Sequence, residues 1–111
     1  MVAIVSAERV LDALGDATRR RVLLRLRKGT RSVGEIAGGM NVSRPAVSQH
    51  LKVLKGAHLV LVRSEGTRRL YAIDPIGIEA IRRWLDGFWG DALTSFKRAA
   101  ERDAVRERRR P

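Results

Sequence analysis

Cysteine is absent from the 111 residues of this chain. That removes disulfide staples, thiolate metal sites and thiol redox switches together. Histidine is nearly as scarce, with only His50 and His58. A zinc site needs about four converging His, Cys or carboxylate ligands, and these two histidines sit in no pattern that supplies them, so no metal and no cofactor is expected. No stretch approaches the roughly 20 apolar residues of a membrane span. The run Met1-Val-Ala-Ile-Val-Ser6 lacks the basic residues that open a secretion signal. The expected location is therefore the cytoplasm, with no membrane partner. Gly-rich phosphate loops, Ser-His-acid arrangements and metal constellations are missing, and Gly38-Gly39 is a turn signal only. An enzyme is not expected.

What the chain has is positive charge, and it is concentrated. The net charge is +11. Residues 17–69 hold thirteen Lys or Arg against two acids, Glu35 and Glu65, and so carry the whole +11. The flanks balance, ten bases against ten acids. Such a footprint fits a polyanion binder; a solvated charge face is the plainer reading of the same count. The charge is not gathered on one amphipathic helix, as a membrane-surface binder would have it. Arg outnumbers Lys 19 to 4. This suits bidentate contacts to guanine and phosphate, although a GC-rich genome produces the same bias.

Within the basic segment, Asn41-Val-Ser-Arg-Pro-Ala-Val-Ser-Gln-His-Leu-Lys-Val-Leu-Lys-Gly56 has the form of a DNA-recognition helix over 43–55. Ser43 can cap its start. Pro45 falls in the first turn, where a missing N–H costs nothing. Gly56 ends it, with Lys52 and Lys55 near the negative end. Val47, Leu51 and Leu54 make one apolar face. The other face presents Arg44, Pro45, Ser48, Gln49 and Lys52, with no carboxylate to repel DNA.

The rest of the chain frames this helix. Ser6 to about Leu14 reads as a first helix, with Gly15 stopping it. Asp16 caps a second one running to about Lys28, with Val22, Leu23 and Leu26 inward. Thr30 to Val33 is a brief extended piece. Ser32 and Glu35 have capping-box spacing for a short third helix. The turn Gly38-Gly-Met-Asn41 then gives helix-turn-helix spacing. After Gly56 the period changes: Leu59–Glu65 and Arg68–Ile73 are rich in β-formers, with Gly66-Thr67 as a hairpin tip. This basic hairpin, spanning 60–73, predicts a wing able to lie along a DNA backbone or minor groove.

Asp74-Pro75 starts a terminal helix. Ile78, Ile81, Leu85, Phe88, Ala92 and Ala99 follow a heptad-like spacing, and Trp84, Trp89, Leu93 and Phe96 widen the stripe. Both tryptophans and both phenylalanines fall within residues 84–96. Ordinary intramolecular packing accounts for part of this stripe. Its excess predicts an interface between two copies, since aromatics are favoured at buried interfaces. The expected architecture is mainly α with a small β-hairpin, in the order α-α-(short β)-α-α-β-β-α. It forms one domain over residues 1–100, with residues 75–100 as dimerisation helix. A charged tail, 101–111, is expected to fray.

These elements resemble the ArsR-type winged helix-turn-helix repressors of bacteria. The likeness rests on Leu14-Gly-Asp-Ala-Thr-Arg-Arg-Arg-Val-Leu-Leu24, Val42-Ser-Arg-Pro-Ala-Val-Ser-Gln-His-Leu-Lys-Val-Leu54, Ala57-His-Leu-Val60 and Arg63-Ser-Glu-Gly-Thr-Arg-Arg-Leu-Tyr71. It covers about residues 8–100. The resemblance implies a dimeric repressor, possessing two recognition helices that enter successive major grooves of an imperfect palindrome. The family's soft-metal site uses cysteines in the helix before the turn, where this chain has Val33-Gly-Glu-Ile-Ala-Gly38. Its terminal-helix site uses His with carboxylates, where this chain has Asp86, Asp91 and Glu101 but no His. The chain is closer to the metal-free branch of the family.

Each candidate contact has a plainer counterpart. Gln49 can pair bidentately with adenine, or be a solvated helix position. Ser48 and Ser43 can bond bases or phosphates, though capping already explains Ser43. Arg44 suits guanine or phosphate, and Lys52 suits phosphate. His50 either touches phosphate or packs against the wing or the preceding helix. Arg63, Arg68 and Arg69 are wing contacts, of which at least one is a plain surface charge. Arg19, Arg20 and Arg21 follow a helix start that either approaches phosphate or is solvated. Trp84, Leu85, Phe88, Trp89, Leu93 and Phe96 belong to the dimer interface or the core. The leading function is sequence-specific repression of transcription, through double-stranded DNA on the nucleoid. Non-specific or architectural nucleic-acid binding is the alternative, and a protein-docking module a third reading.

Overall fold

The computed structural model describes residues 5–109; Met1–Ile4, Arg110 and Pro111 lie outside the described residues. The elements are α1 (Ala7–Ala13), α2 (Ala17–Leu24), β1 (Arg31–Ser32), α3 (Val33–Gly38), α4 (Arg44–Gly56), β2 (Val60–Glu65), β3 (Arg68–Ile73) and α5 (Pro75–Arg108). This is the expected order. Two compact units are present, one ending at Ile81 and the other starting at Arg82.

In the first unit, side-chain caps set the helix starts. The Ser6 hydroxyl accepts from the Arg9 N–H at 3.4 Å, the Asp16 carboxylate from Arg19 at 2.8 Å and the Ser43 hydroxyl from Ala46 at 3.3 Å. Ser32 and Glu35 complete a reciprocal capping box. Each cap satisfies an N–H that has no partner within the helix.

Helix α2 stops at Leu24, short of the expected Lys28. Beyond it the backbone tightens into i→i+3 bonds, Leu26 N–H to the Leu23 carbonyl at 3.0 Å and Arg27 N–H to Leu24 at 3.2 Å. The Arg25 carbonyl is taken by the Arg31 side chain at 3.0 Å. This tightening lets Leu26 reach the core while the chain turns at Gly29, whose φ of 140° is open to glycine.

The core is built from Val10, Val22, Leu26, Ile36, Val47, Leu51, Leu54, Leu59, Val60 and Tyr71, all buried. The expected inward stripes of α2 and α4 are therefore the real ones. The wing hairpin is joined by β1 to make a three-stranded antiparallel sheet of order β1-β3-β2. Arg31 pairs with Tyr71, and Val62 pairs with Tyr71 from the other side. At the start of α5, Asp74 is only 4% exposed. Its N–H reaches the Leu59 carbonyl at 2.9 Å and its carboxylate accepts from Ile76 at 2.9 Å. Gly77 donates to the His58 carbonyl at 2.8 Å, and a side chain at Gly77 would run into that same carbonyl.

The second unit is the remainder of α5, which continues helical to Arg108. The tail expected to fray from residue 101 is thus helix as far as that. Residues 91–109 contain neither Gly nor Pro and are rich in Ala, Glu and Arg, all good helix formers. Trp84 and Phe88 stack with centroids 5.7 Å apart, and Trp89 meets Phe88 edge-on.

Candidate nucleic-acid interface

Helix α4 turns Val47, Leu51 and Leu54 into the core and leaves Arg44, Ser48, Gln49 and Lys52 exposed. Beside it runs a groove of about 430 Å³ shared with the wing. Ser48, Gln49, Lys52 and Lys55 line it from α4, and Arg69 lines it from β3, over a floor that includes Leu51, Val62 and Tyr71. Helix and hairpin thus bring amide, hydroxyl and three cationic groups to one concave strip. An amide can read base edges while cations meet phosphate. Lys55 was not singled out as a contact from the sequence; its position three residues after Lys52 on the same face was the available signal.

The wing arginines separate. Arg68 and Arg69 are adjacent, so strand alternation sends them to opposite faces. Arg69 faces the groove. Arg68 instead pairs with the Glu35 carboxylate of α3 at 2.9 Å. Arg63 lies near Glu65 at 3.8 Å, both well exposed, at the outer edge of the wing. Of the three, Arg69 alone stands in the groove beside Gln49.

The remaining nominees divide in the same way. The Arg44 guanidinium lies over Gly34 of α3, where an added Cβ would sit 3.1 Å from its Nη2. His50 turns away from the groove, half-buried, with Nδ1 3.9 Å from the carboxylate of Asp16. Its neighbour is thus the start of α2, and not the wing or the preceding helix. Arg19 and Arg20 reach back to the Ala13 and Leu14 carbonyls at 3.1 and 2.6 Å. They close the C-terminus of α1, a role neither expectation for them included. On the far flank of α4, a second recess of about 520 Å³ again includes Gln49 and Lys52, together with Arg9 and Arg19. Arg9 was missed because it lies on α1, far in sequence from the reading helix.

Two carboxylates in this region are held below their ordinary range. Asp16 is lowered by the Arg19 backbone N–H, partly countered by desolvation, with His50 and nearby arginines adding to the lowering. Glu35 is lowered by its backbone and side-chain hydrogen bonds with Ser32, with Arg68 and Arg31 adding. Both therefore remain charged at neutral pH. Among the described residues no group of three His, Asp or Glu stands together to hold a metal, and no helix is long and apolar enough to cross a membrane.

Trp84, Phe88, Trp89, Leu93 and Phe96 lie along one side of α5, and with Leu85 they are 39–72% exposed in the single chain.

Residues 14–63 match a family described as a helix-turn-helix domain. The chain is 55% identical over 91 residues to the HTH-type transcriptional regulator Rv2034 of Mycobacterium tuberculosis, covering 82% of this chain and 85% of that protein. It is 32% identical over 79 residues to the transcriptional repressor SdpR of Bacillus subtilis, covering 71% of this chain and 88% of that one. Among solved structures, it is similar to the homodimeric winged helix-turn-helix DNA-binding domain (fragment 1–100) of Mb0332 from Mycobacterium bovis, a possible ArsR-family transcriptional regulator. The TM-score is 0.60 at 32% identity, over 80% of this chain and 82% of that one.

Proposed function

We propose that this chain, which belongs to the ArsR family of winged helix-turn-helix transcriptional regulators, is a sequence-specific DNA-binding repressor that works as a homodimer in the cytoplasm, on the nucleoid. The observation that carries the reading is the groove between α4 and the wing, where Ser48, Gln49, Lys52, Lys55 and Arg69 converge. Helix α4 enters the major groove. Gln49 and Ser48 read base edges, and the amide of Gln49 suits adenine N6 and N7. Arg44, Lys52 and Lys55 meet backbone phosphates and set the register, and Arg69 and Arg63 hold the wing to the flanking backbone. Ser43 acts mainly through its cap. His50 supports the helix from behind, and Arg68 braces the wing on α3.

The dimer forms through α5, with Trp84, Leu85, Phe88, Trp89, Leu93 and Phe96 as its apolar contact. Their exposure in the single chain supports this, because contiguous exposed apolar patches of this kind mark interaction surfaces. The named homodimer among its structural relatives supports it too. Two-fold symmetry then places the reading helices about 34 Å apart on an imperfect palindrome.

Fluorescence anisotropy against the DNA upstream of the chain's own gene, beside a scrambled duplex of equal length at several salt concentrations, tests the reading. Preference for the native duplex by about 10³-fold or more is the behaviour of a specific reader, and would make the protein autoregulatory. Equal binding to both duplexes, followed by failure of a random-sequence selection to converge, would leave a non-specific binder. That alternative would also lose affinity steeply with salt for every sequence alike.

A further inference from the structure

We propose that the recess between the end of α2, β1 and the α3–α4 turn binds a small organic anion with an apolar body. The recess is a solvent-open concavity of about 480 Å³, within the usual 300–1,000 Å³ of small-molecule sites. Five of its lining residues are cationic: Arg21, Arg25, Arg27, Lys28 and Arg31. No carboxylate lines it. Leu24, 53% exposed, and Met40 add an apolar surface among the cations.

The site is built rather than incidental. Arg25 donates from Nη2 to the Glu35 carbonyl at 3.1 Å, and Arg31 donates from Nε to the Arg25 carbonyl at 3.0 Å. Backbone oxygens fix these guanidiniums without neutralising them. Glu35 directs its carboxylate to Arg68 at 2.9 Å and only adds a weaker, longer-range attraction to Arg31. The Arg25 Nε is buried without a hydrogen-bond partner, a state that buried polar groups rarely keep. Its guanidinium lies flat against Gly39, where any side chain would collide with it. An anion in the recess gains charge-assisted hydrogen bonds from several cations, while an alkyl or aryl body covers Leu24 and Met40. A bare phosphate would leave that apolar surface wet, which favours an amphiphilic carboxylate or phosphate ester.

Gly39 and Met40 belong to the turn that aims α4, shortly before its cap Ser43. An occupant therefore acts on the reading head in two ways. It neutralises cationic charge in the basic segment and it fixes Arg25 against the turn. Weakened operator binding is the expected consequence, and this part rests on the repressor reading above, whereas binding to the recess does not.

The experiment uses the full-length ¹⁵N-labelled protein, titrated with octyl phosphate and octanoate below their micellar concentrations, and with inorganic phosphate and octylamine as controls. Saturable shifts of the Arg25, Gly39 and Met40 amides are expected with the two amphiphilic anions, much weaker with inorganic phosphate and absent with octylamine. Arg21→Glu/Lys28→Glu, which changes two exposed side chains, should weaken binding by tenfold or more, and Arg25→Lys should also weaken it. Absence of saturable shifts, equal shifts from octylamine, or unchanged affinity in the double variant would overturn the proposal. So would a double variant that loses affinity only for long duplexes while neither amphiphile binds, since the face would then contact flanking DNA. Anisotropy on native and scrambled duplexes runs alongside with octyl phosphate. Saturable amide shifts without any duplex preference would sink the repressor reading and leave the site standing.

Discussion

Arg68 and Arg69 are chemically identical neighbours, and the structure places them in different surroundings. Arg68 is tied to Glu35 at 2.9 Å, whereas Arg69 lines the groove with Gln49 and makes no ion pair among the described residues. Removing Arg69 should therefore remove a phosphate contact, and removing Arg68 should mostly remove a brace. Each neutralised phosphate contributes about 0.9 to the slope of log affinity against log salt. A homodimer has two wings, so Arg69→Ala should lower that slope by about 1.8. Going from 50 to 200 mM salt is a fourfold change, over which a slope difference of that size amounts to about tenfold. The affinity gap between wild type and Arg69→Ala should shrink by that factor across the interval. Arg68→Ala should move the slope by less than half as much. Its cost appears instead in stability, and is small because the pair is exposed. The assay is anisotropy on the operator duplex across the salt series, with urea unfolding of each variant. An unchanged slope in Arg69→Ala, or a larger slope change in Arg68→Ala, would refute the division of roles.

Gln49→Ala should reduce discrimination between native and scrambled duplexes by about 1–3 kcal/mol per half-site; an equal loss on both duplexes would mean that it reads no base. Gly77→Ala meets the His58 carbonyl and should destabilise the fold by about 1–3 kcal/mol. Gly87→Ala and Gly90→Ala, in the same helix with nothing near the added methyl, should stabilise it by about 0.5–1 kcal/mol. Thermal unfolding of all three would contradict this packing if the signs agreed. Leu93→Glu should convert the homodimer to monomer in sedimentation equilibrium, and an unchanged mass would move the interface away from the aromatic stripe. Asp16 has its pKa lowered in the folded state, so the stability it adds is present above its ordinary range and is lost as pH falls through the lowered value. The destabilisation by Asp16→Ala, present near neutral pH through the lost cap, should accordingly fade in strongly acidic buffer; a constant difference at all pH would assign the effect to packing.

How much of this was legible in the sequence follows from the range of each interaction. Helix α4 was legible almost to the residue, because Ser43, Pro45, the Val47–Leu51–Leu54 stripe and Gly56 are all local signals. The hairpin tip at Gly66-Thr67 was legible for the same reason. The end of α2 was not, because the Leu and Arg periodicity runs smoothly through Arg27, while the donor that meets the Arg25 carbonyl comes from Arg31 across a turn. Alternation could tell that Arg68 and Arg69 diverge. It could not tell which of them meets α3, since that depends on the two-residue pairing of β1 with β3. His50 carried its own signal unheeded, for it falls three residues after Val47 and four before Leu54, on the side of α4 that packs inward. The stripe on α5 is the reverse case: its local signal was strong, and within the described residues it stays largely exposed. A surplus of apolar residues at helical spacing states that something must cover them, but period alone cannot say what. The structure adds that Trp89, Leu93 and Phe96 stay more than half exposed in the single chain, which is why the proposed dimer contact is placed on these side chains and not on the buried stripe of α4.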